Sequence, residues 1–300
     1  MTYRPYLFGG AIVLSLAGGA IAQPNMDAVQ ITAQQIRPGV AVLFGNGGNI
    51  GVSYGEDGTL IVDDQFAPLT QKIQAAVAGL GAQPTDYLVN THWHFDHAGG
   101  NENFGNAGTL IVAQTRVRDR LMAGGSVAGN TTPPAPKAAL PVVTYDHSVS
   151  FHLNGDTIDV IHTGGGHTDG DSVIYWREAN VLHTGDMMMN GAGFPFIDLG
   201  SGGNVRHLIV SLDQLIAMTN SDTVIIPGHG PLARRADLIA WRGTIATAVE
   251  RVSALKDAGR TLDQAKAAKP LAGLSNNPNG FISDDAFVDA IWGSLEAHGR

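Results

Sequence analysis

Four side chains that can bind a metal ion fall within six residues, in the segment Thr-His-Trp-His-Phe-Asp-His at residues 91–97. The apolar tetrapeptide Tyr-Leu-Val-Asn at residues 87–90 precedes them and predicts a short buried strand. A loop at the end of a strand is where irregular backbone can turn several side chains toward one point. This motif constrains the fold strongly, because it requires the edge of a sheet beneath it.

The spacing within the motif divides these side chains into two pairs. His92 and His94 are two residues apart, so an extended backbone points them to the same side. Asp96 and His97 follow where the chain is predicted to turn into a helix, which lets them face a second, adjacent ion. Imidazole and carboxylate ligands without sulfur suit Zn²⁺ best, while Fe²⁺ and Mn²⁺ are compatible with the same ligand types.

Three further candidate ligands each follow an apolar strand and lie on glycine-rich backbone. They are His167 in Gly-Gly-Gly-His-Thr-Asp, Asp186 in His-Thr-Gly-Asp and His229 in Pro-Gly-His-Gly. Glycine lets the backbone approach an ion closely. Each residue alone would more often be an ordinary turn residue, whereas all seven together supply ligands for two ions.

Apolar runs separated by glycine-rich turns predict a mixed α/β protein with helices covering two packed sheets. Strands are predicted at residues 40–44, 50–53, 59–62, 87–90, 109–113, 149–153, 157–161, 172–176, 180–183 and 223–226. Helices are predicted at residues 68–79, 115–122 and 205–218, and from residue 234 onward. Residues 124–141 are dense in Gly and Pro, which predicts a mobile loop or flap.

The first residues are typical of an export signal. Arg4 precedes the apolar segment at residues 7–21, and Ala20-Ile21-Ala22 matches a small-x-small cleavage site. We therefore expect a cleavable signal peptide at residues 1–22 and a mature chain in the periplasm or outside the cell, without membrane insertion after cleavage. A membrane anchor is the alternative, although the apolar run is short for a full span.

Composition narrows the classes of partner. The net charge is −9 and the chain has no basic run, which argues against nucleic acid as a partner. There is no cysteine, so disulfides, thiolate ligands and a cysteine nucleophile are excluded. The expected partner is a small-molecule substrate, and the sequence leaves the oligomeric state open.

The four motifs, in this order, resemble those of the metallo-β-lactamase superfamily, over roughly residues 36–238. The resemblance implies a four-layer αβ/βα sandwich with metals at one edge between the sheets. We expect one such hydrolase domain over residues 23–300, with a helical C-terminal segment from about residue 234. The resemblance also implies the roles of eight residues: His92, His94 and His167 hold one zinc, Asp96, His97 and His229 hold the other, Asp186 bridges the two, and Asp64 supports the site from behind the ligands.

The activity implied is that of an exported dinuclear zinc hydrolase. Two such ions lower the pKa of a shared water from about 15.7 to roughly 7, and the resulting hydroxide attacks a carbonyl. Asp96 is the candidate catalytic residue, because it can orient that hydroxide as well as bind metal. The expected substrate is a small ester, lactone or β-lactam-type amide, with β-lactamase-like activity as the leading named candidate.

Two departures weaken the β-lactamase interpretation. Asp186 stands where one β-lactamase group has Cys, and Met189 stands where that group usually has a Lys that binds the substrate carboxylate. Arg206 or Lys137 would then have to replace that Lys. The alternatives are a glyoxalase-II-like thioesterase or lactonase and, outside enzymes, a periplasmic zinc-binding protein. Candidate substrate contacts are Met189, Phe194 and Asn204.

Overall fold

The computed structural model describes residues 25–191, 193–275, 277 and 280–297. The predicted signal peptide, residues 1–22, lies outside the described residues. In the part that is described, no helix combines the length and the apolar character that crossing a membrane requires.

The strands form two large sheets and one separate hairpin. In chain order they are β1 (Thr32–Arg37), β2 (Val40–Phe44), β3 (Ile50–Gly55), β4 (Gly58–Val62), β5 (Tyr87–Asn90), β6 (Leu110–Gln114), β7 (Gly125–Val127), β8 (Asn130–Thr132), β9 (Val143–Tyr145), β10 (Ser148–Leu153), β11 (Asp156–His162), β12 (Ser172–Trp176), β13 (Val181–His183), β14 (Val224–Ile226) and β15 (Ala233–Arg234). The first sheet has the order β1-β2-β3-β4-β5-β6-β9, and the second runs from β10 to β15 in sequence order. Strands β4, β5, β6 and β9 are parallel, as are β13 and β14.

The helices are amphipathic segments between and after these strands. They are α1 (Thr70–Gly79), α2 (Phe95–Ala98), α3 (Asn101–Asn106), α4 (Thr115–Ala123), α5 (Val205–Met218), α6 (Arg235–Asp257), α7 (Leu262–Ala267) and α8 (Asp284–Glu296). Helix α5 has the bounds that its apolar spacing predicts, and Asn204 caps its first turn.

Alternating side chains on the strands produce the layers. On β2, Val40 and Val42 point between the two sheets, where they join Ile158 and Ile174 of the second sheet. The alternate residues Ala41 and Leu43 point outward against α1 and α3. Helices α5, α6 and α8 cover the outer face of the second sheet. The order helix, sheet, sheet, helix confirms the predicted four-layer sandwich.

Local structure departs from the sequence prediction in several places. Strands β1, β9 and β15 were not predicted, because they are sheet edges and are too exposed or too short to show a buried apolar alternation. The short helix α3 was not predicted either. The segment predicted as an irregular loop, residues 124–141, contains the hairpin β7–β8. Its turn residues Ala128 and Gly129 both have positive φ, at 48° and 80°, as a two-residue hairpin turn requires. Alanine gives no sequence signal for such a turn.

Candidate metal centre

The end of strand β5 carries the first group of candidate ligands. His92 and His94 lie between β5 and α2, and His94 has extended backbone and is the residue that precedes the first turn of α2. Asp96 and His97 lie inside that helix. The imidazoles are buried, while the side chain of Asp96 keeps 23% of its surface exposed. The short helix therefore turns the second pair of side chains away from the first pair, toward a neighbouring position.

The other candidate ligands reach the same place from the second sheet. His167 lies in the loop between β11 and β12, Asp186 follows β13 in a 3₁₀ turn, and His229 follows β14. The backbone approaches them closely: a Cβ added at Gly228 would lie 2.1 Å from Oδ1 of Asp186. The turn at Gly228 therefore needs glycine, because a candidate ligand occupies the space that a side chain would fill.

The seven side chains form compact groups of donor atoms. His92, His94 and His167 form one group, Asp96, His97 and His229 form a second, and in each group the candidate ligand atoms lie within 4.8 Å of one another. Asp186 lies between the two groups: its Oδ1 is 3.0 Å from Nε2 of His97, and its Oδ2 is 3.6 Å from Nε2 of His167. The structure thus brings together all seven residues, and a third group, His92, His97 and Asp186, overlaps the two that the resemblance implies.

The chemistry of these donors fits divalent metal ions. The buried atom Nε2 of His92 has no hydrogen-bond partner. Imidazole nitrogens also face one another across short gaps, with 2.9 Å between His167 and His94 and 3.2 Å between His97 and His229. Unsatisfied buried polar atoms are costly, and a cation between them would satisfy several at once. Nitrogen and oxygen donors without sulfur suit Zn²⁺.

Hydrogen bonds on the far side of each ring orient the imidazoles. Nε2 of His94 donates to Oδ2 of Asp198 at 2.9 Å, and Nδ1 of His97 donates to Oδ2 of Asp63 at 2.7 Å. Nδ1 of His167 donates to the carbonyl oxygen of Phe196 at 2.6 Å. Such contacts fix the tautomer and leave the other ring nitrogen free for a metal. Sequence reasoning missed Asp63 and Asp198.

Asn49 holds the loop that carries His229. Its amide nitrogen donates to the carbonyl oxygens of Pro227 and Gly230, each at 2.8 Å, so it binds the chain on both sides of the ligand. The residue is buried and lies 178 positions from Pro227 in the sequence. No local pattern could have identified this contact.

Asp64 does not make the contact that was expected of it. Its Oδ1 accepts the backbone N–H of Gly100 at 2.8 Å, and its Oδ2 has no partner. Burial raises the pKa of this carboxyl well above its ordinary value. The neighbouring Asp63 contacts the ligand instead, because the chain leaves β4 at this residue with a φ of 64° and turns the Asp63 carboxylate toward His97. The expectation for Asp64 is therefore corrected to Asp63.

The charges of the cluster divide it into neutral and ionised groups. Burial and the neighbouring His94 lower the pKa of His167 to about 4, so this imidazole is neutral. Burial also opposes the charge on His229, but Asp186 and Asp96 outweigh it and raise the pKa of His229 to about 10. Burial acts against ionisation of Asp96, yet His97 and His229 hold its pKa below the ordinary value. A bound cation would replace protons that the metal-free cluster holds.

A pocket of about 520 Å³ opens above the cluster. Its lining is largely apolar and consists of Asn46, Gly47, Phe66, His94, Phe95, Asp96, Val127, Ala128, Asn130, Asp186, Met189, Phe196, His229 and Phe281. Neither Lys nor Arg occurs among these described lining residues. The pocket therefore offers apolar contact and metal ligands but, among its described lining residues, no Lys or Arg.

Among the predicted substrate contacts, Met189 alone lines this pocket. Phe194 is 1% exposed and stacks on Phe287 in the core, with 4.8 Å between ring centroids. Asn204 is also buried, and its side-chain oxygen accepts the backbone N–H of Arg206 at the start of α5. The expectations for Phe194 and Asn204 are therefore corrected, because packing and helix capping occupy these side chains.

Neither proposed carboxylate anchor lines the pocket above the cluster. Lys137 lines a different pocket beside Gly105 and Val142. Arg206 lies on the exposed side of α5 and is absent from the described pocket lining. A carboxylate on a substrate would meet neither a Lys nor an Arg among the described residues that line this pocket.

Comparison with known proteins agrees with this geometry. The sequence model of the metallo-β-lactamase superfamily matches residues 44–229. Acyl-coenzyme A thioesterase MBLAC2 of Gallus gallus is 28% identical over 214 residues, which cover 62% of this chain and 73% of that protein. A hydroxyacylglutathione hydrolase of Erythrobacter litoralis is 26% identical over 219 residues, which cover 71% of this chain and 75% of that protein. The solved structure of a metallo-β-lactamase from Pontibacter korlensis has a TM-score of 0.60 at 20% identity, covering 72% of this chain and 99% of that chain. The chain belongs to the metallo-β-lactamase superfamily and is a hydrolase of that superfamily.

Proposed function

We propose that this chain is a two-zinc hydrolase that cleaves small, neutral carboxylic esters, thioesters and lactones. The supporting observation is a cluster of seven nitrogen and oxygen ligands beneath an apolar pocket whose described lining has no Lys or Arg. His92, His94 and His167 would hold one ion, Asp96, His97 and His229 would hold the other, and Asp186 would contact both. Two zinc ions bound there supply a water of lowered pKa and a polarised carbonyl.

Asp96 is the residue to which we assign proton handling. Its carboxylate is a pocket-lining group, and its Oδ2 lies 3.3 Å from Nε2 of His229. Because its pKa is held low, it accepts a hydrogen bond from the attacking water and orients the water toward the carbonyl carbon. Met189 and Phe196 provide apolar surface that excludes other water from the reacting group.

The pocket favours neutral substrates over β-lactams. β-Lactams and glutathione thioesters carry carboxylates, and the described lining residues include no cationic partner for one. Two of the relatives are named as a thioesterase and a hydroxyacylglutathione hydrolase, which supports cleavage at an acyl carbon. Transfer of an acyl group to water is common to all these reactions. The lack of Lys and Arg in the described pocket lining favours the neutral substrates among them.

A substrate panel on the zinc-loaded protein tests this proposal. We expect kcat/KM for p-nitrophenyl butyrate and a neutral γ-lactone to exceed that for nitrocefin by at least about tenfold. Asp96→Ala should lower kcat/KM by on the order of 100-fold or more. Asp213→Ala, which removes an exposed carboxylate paired with Arg242, is the matched control and should leave the rate unchanged.

The other outcomes identify the alternatives. A preference for nitrocefin would contradict the argument from pocket charge and favour a β-lactamase. A fully zinc-loaded protein that turns over no ester, thioester, lactone or β-lactam would instead favour a zinc-binding protein.

We also propose that the chain acts after export. Arg4, the apolar run at residues 7–21 and the small residues at 20 and 22 support a signal that is cleaved after Ala22. Sequencing of protein recovered from the periplasm should begin at Gln23. A chain that keeps Met1 and stays in the cytoplasm would contradict export.

A further inference from the structure

An exposed aromatic side chain lies at the mouth of the pocket. Phe281 is 75% exposed, the largest exposed fraction among the large hydrophobic residues that the structure describes. Single exposed apolar residues are common on protein surfaces. Phe281 differs from an ordinary surface residue because it lines the pocket above the metal cluster and contacts Phe196 edge-on, with 6.4 Å between ring centroids.

Phe196 connects this exposed ring to the candidate metal ligands. Its ring centroid lies 5.8 Å from that of His94 and 5.7 Å from that of His167. Its carbonyl oxygen also accepts the N–H of His167, which fixes the backbone beneath the ring. A continuous aromatic surface therefore runs from the ligands of one metal group, across Phe196, to Phe281.

The outer part of this surface comes from a different region of the chain than the ligands. The ligands fall within residues 44–229, which match the superfamily, whereas Phe281 lies well beyond them. Helix α8 begins three residues later, and Ser283 caps its first turn. Phe287 and Ile291 of α8 are buried in the core against the second sheet. This packing anchors the C-terminal segment and holds Phe281 at the pocket.

We propose that Phe281 is a specificity-determining residue that, with Phe196, forms a subsite for an apolar group on the substrate's carbonyl carbon. The inference rests on the proposed function, because it assumes that a carbonyl is held at the metal cluster. The first carbons attached to that carbonyl would then lie beside Phe196, and later carbons would reach Phe281. The substrate class is that of neutral compounds with a medium-length alkyl or aryl acyl group.

Such a subsite would bind longer acyl groups more tightly because it removes their apolar surface from water. Each methylene group that the subsite buries contributes about a fourfold gain in binding. Hexanoyl compounds should therefore bind more tightly than acetyl compounds, by at least about tenfold even with partial burial. Removal of the Phe281 ring should reduce this ratio, because the outer carbons would stay in water.

Calorimetric binding of hexanoate and acetate to the zinc-loaded protein tests the subsite without turnover. Both probes carry the same carboxylate, so the ratio of their affinities reports the apolar chain alone. We expect Phe281→Ala to lower this ratio by about tenfold and Phe281→Leu to restore most of it. Val142→Ala truncates another exposed apolar residue, at a different pocket, and should keep the wild-type ratio.

The same variants are then assayed with p-nitrophenyl acetate and p-nitrophenyl hexanoate. If Phe281→Ala lowers the ratio of kcat/KM for the hexanoate ester to that for the acetate ester as much as it lowers the binding ratio, the result supports both the subsite and the proposed function. If Phe281→Ala keeps the wild-type binding ratio, the subsite is refuted. A binding ratio that falls in a protein without esterase activity would support the subsite and contradict the proposed function.

Discussion

Oδ2 of Asp198 lies 2.9 Å from Nε2 of His94 and also accepts the hydroxyl of Ser201 at 2.5 Å. This contact directs Nδ1 of His94 toward Nε2 of His167, 2.9 Å away. Carboxylates behind a metal-binding imidazole typically change metal affinity or activity by about 10–100-fold when they are replaced. Asp198 therefore orients a candidate ligand without being one itself.

We predict that Asp198→Asn weakens zinc binding and lowers kcat/KM, each by about 10–100-fold. Competition with a chelating dye measures the affinity. Asp213→Asn provides the control, since Asp213 is exposed and pairs with Arg242. Wild-type zinc affinity in Asp198→Asn would show that His94 needs no such partner.

Substitution of the adjacent carboxyls Asp63 and Asp64 should have very different effects on zinc affinity. Asp63 accepts hydrogen bonds from both His97 and the side chain of Thr91, so an amide there would place a donor against donors. We predict that Asp63→Asn lowers zinc affinity by about tenfold or more. Asp64 accepts the backbone N–H of Gly100 rather than that of a ligand, and burial raises the pKa of its carboxyl, so Asp64→Asn should keep zinc affinity within about threefold of wild type. Competition with a chelating dye measures the zinc affinity of both variants. Equal losses of affinity would show that Asp64 supports the metal site, as the sequence analysis expected.

The metal-free protein should lose stability as the pH rises above neutral. The folded protein raises the pKa of His229 to about 10, against about 6.5 in an unfolded chain. The protonated form is therefore favoured by folding. Its stabilisation is fully present below about pH 6.5 and is lost as the pH rises through about 10. His97, whose pKa is also raised, acts in the same direction.

Urea unfolding of the chelator-treated protein at pH 7 and pH 9.5 measures this effect. We expect the free energy of unfolding to fall between these values, and to fall less in His229→Gln. Burial raises the pKa of Asp171 to about 7, so this carboxyl is still half protonated at the lower pH, but the comparison with His229→Gln removes its contribution because both proteins contain it. An equal fall in the free energy of unfolding for the two proteins would contradict the assignment of this effect to His229. The fall should be smaller in a zinc-loaded sample, because zinc replaces the protons.

Local patterns in the sequence predicted the framework and the ligands well. Strand β2 was predicted with the bounds Val40–Phe44 because its residues are apolar and a glycine-rich turn follows it. The candidate ligands were found because metal-binding residue types stand on turns directly after such strands. These signals are local, so a single sequence contains them.

The contacts that orient the ligands could not be predicted from local patterns in the sequence. Asp198 reaches His94 across 104 positions, and no local pattern connects the two. The choice of Asp63 over Asp64 depends on backbone geometry, since Asp63 has a φ of 64°. The pocket wall formed by Phe281 depends on how the C-terminal helices pack against the second sheet. Each is a property of tertiary structure.

The position of Phe194 distinguishes a role in core packing from a role in substrate contact. Its ring is fully buried and stacks on Phe287 at an interplanar angle of 20°, and it is not among the residues that line the pocket. Phe194→Ala should lower the free energy of unfolding by about 3–5 kcal/mol, since it removes buried apolar contacts and leaves a cavity in the core. The ratio of hexanoate to acetate affinity should stay at the wild-type value under folding conditions, in contrast to Phe281→Ala. Denaturant unfolding and calorimetry on the two variants measure both quantities. If Phe194→Ala changed that ratio without loss of stability, Phe194 would belong to the pocket as the sequence suggested.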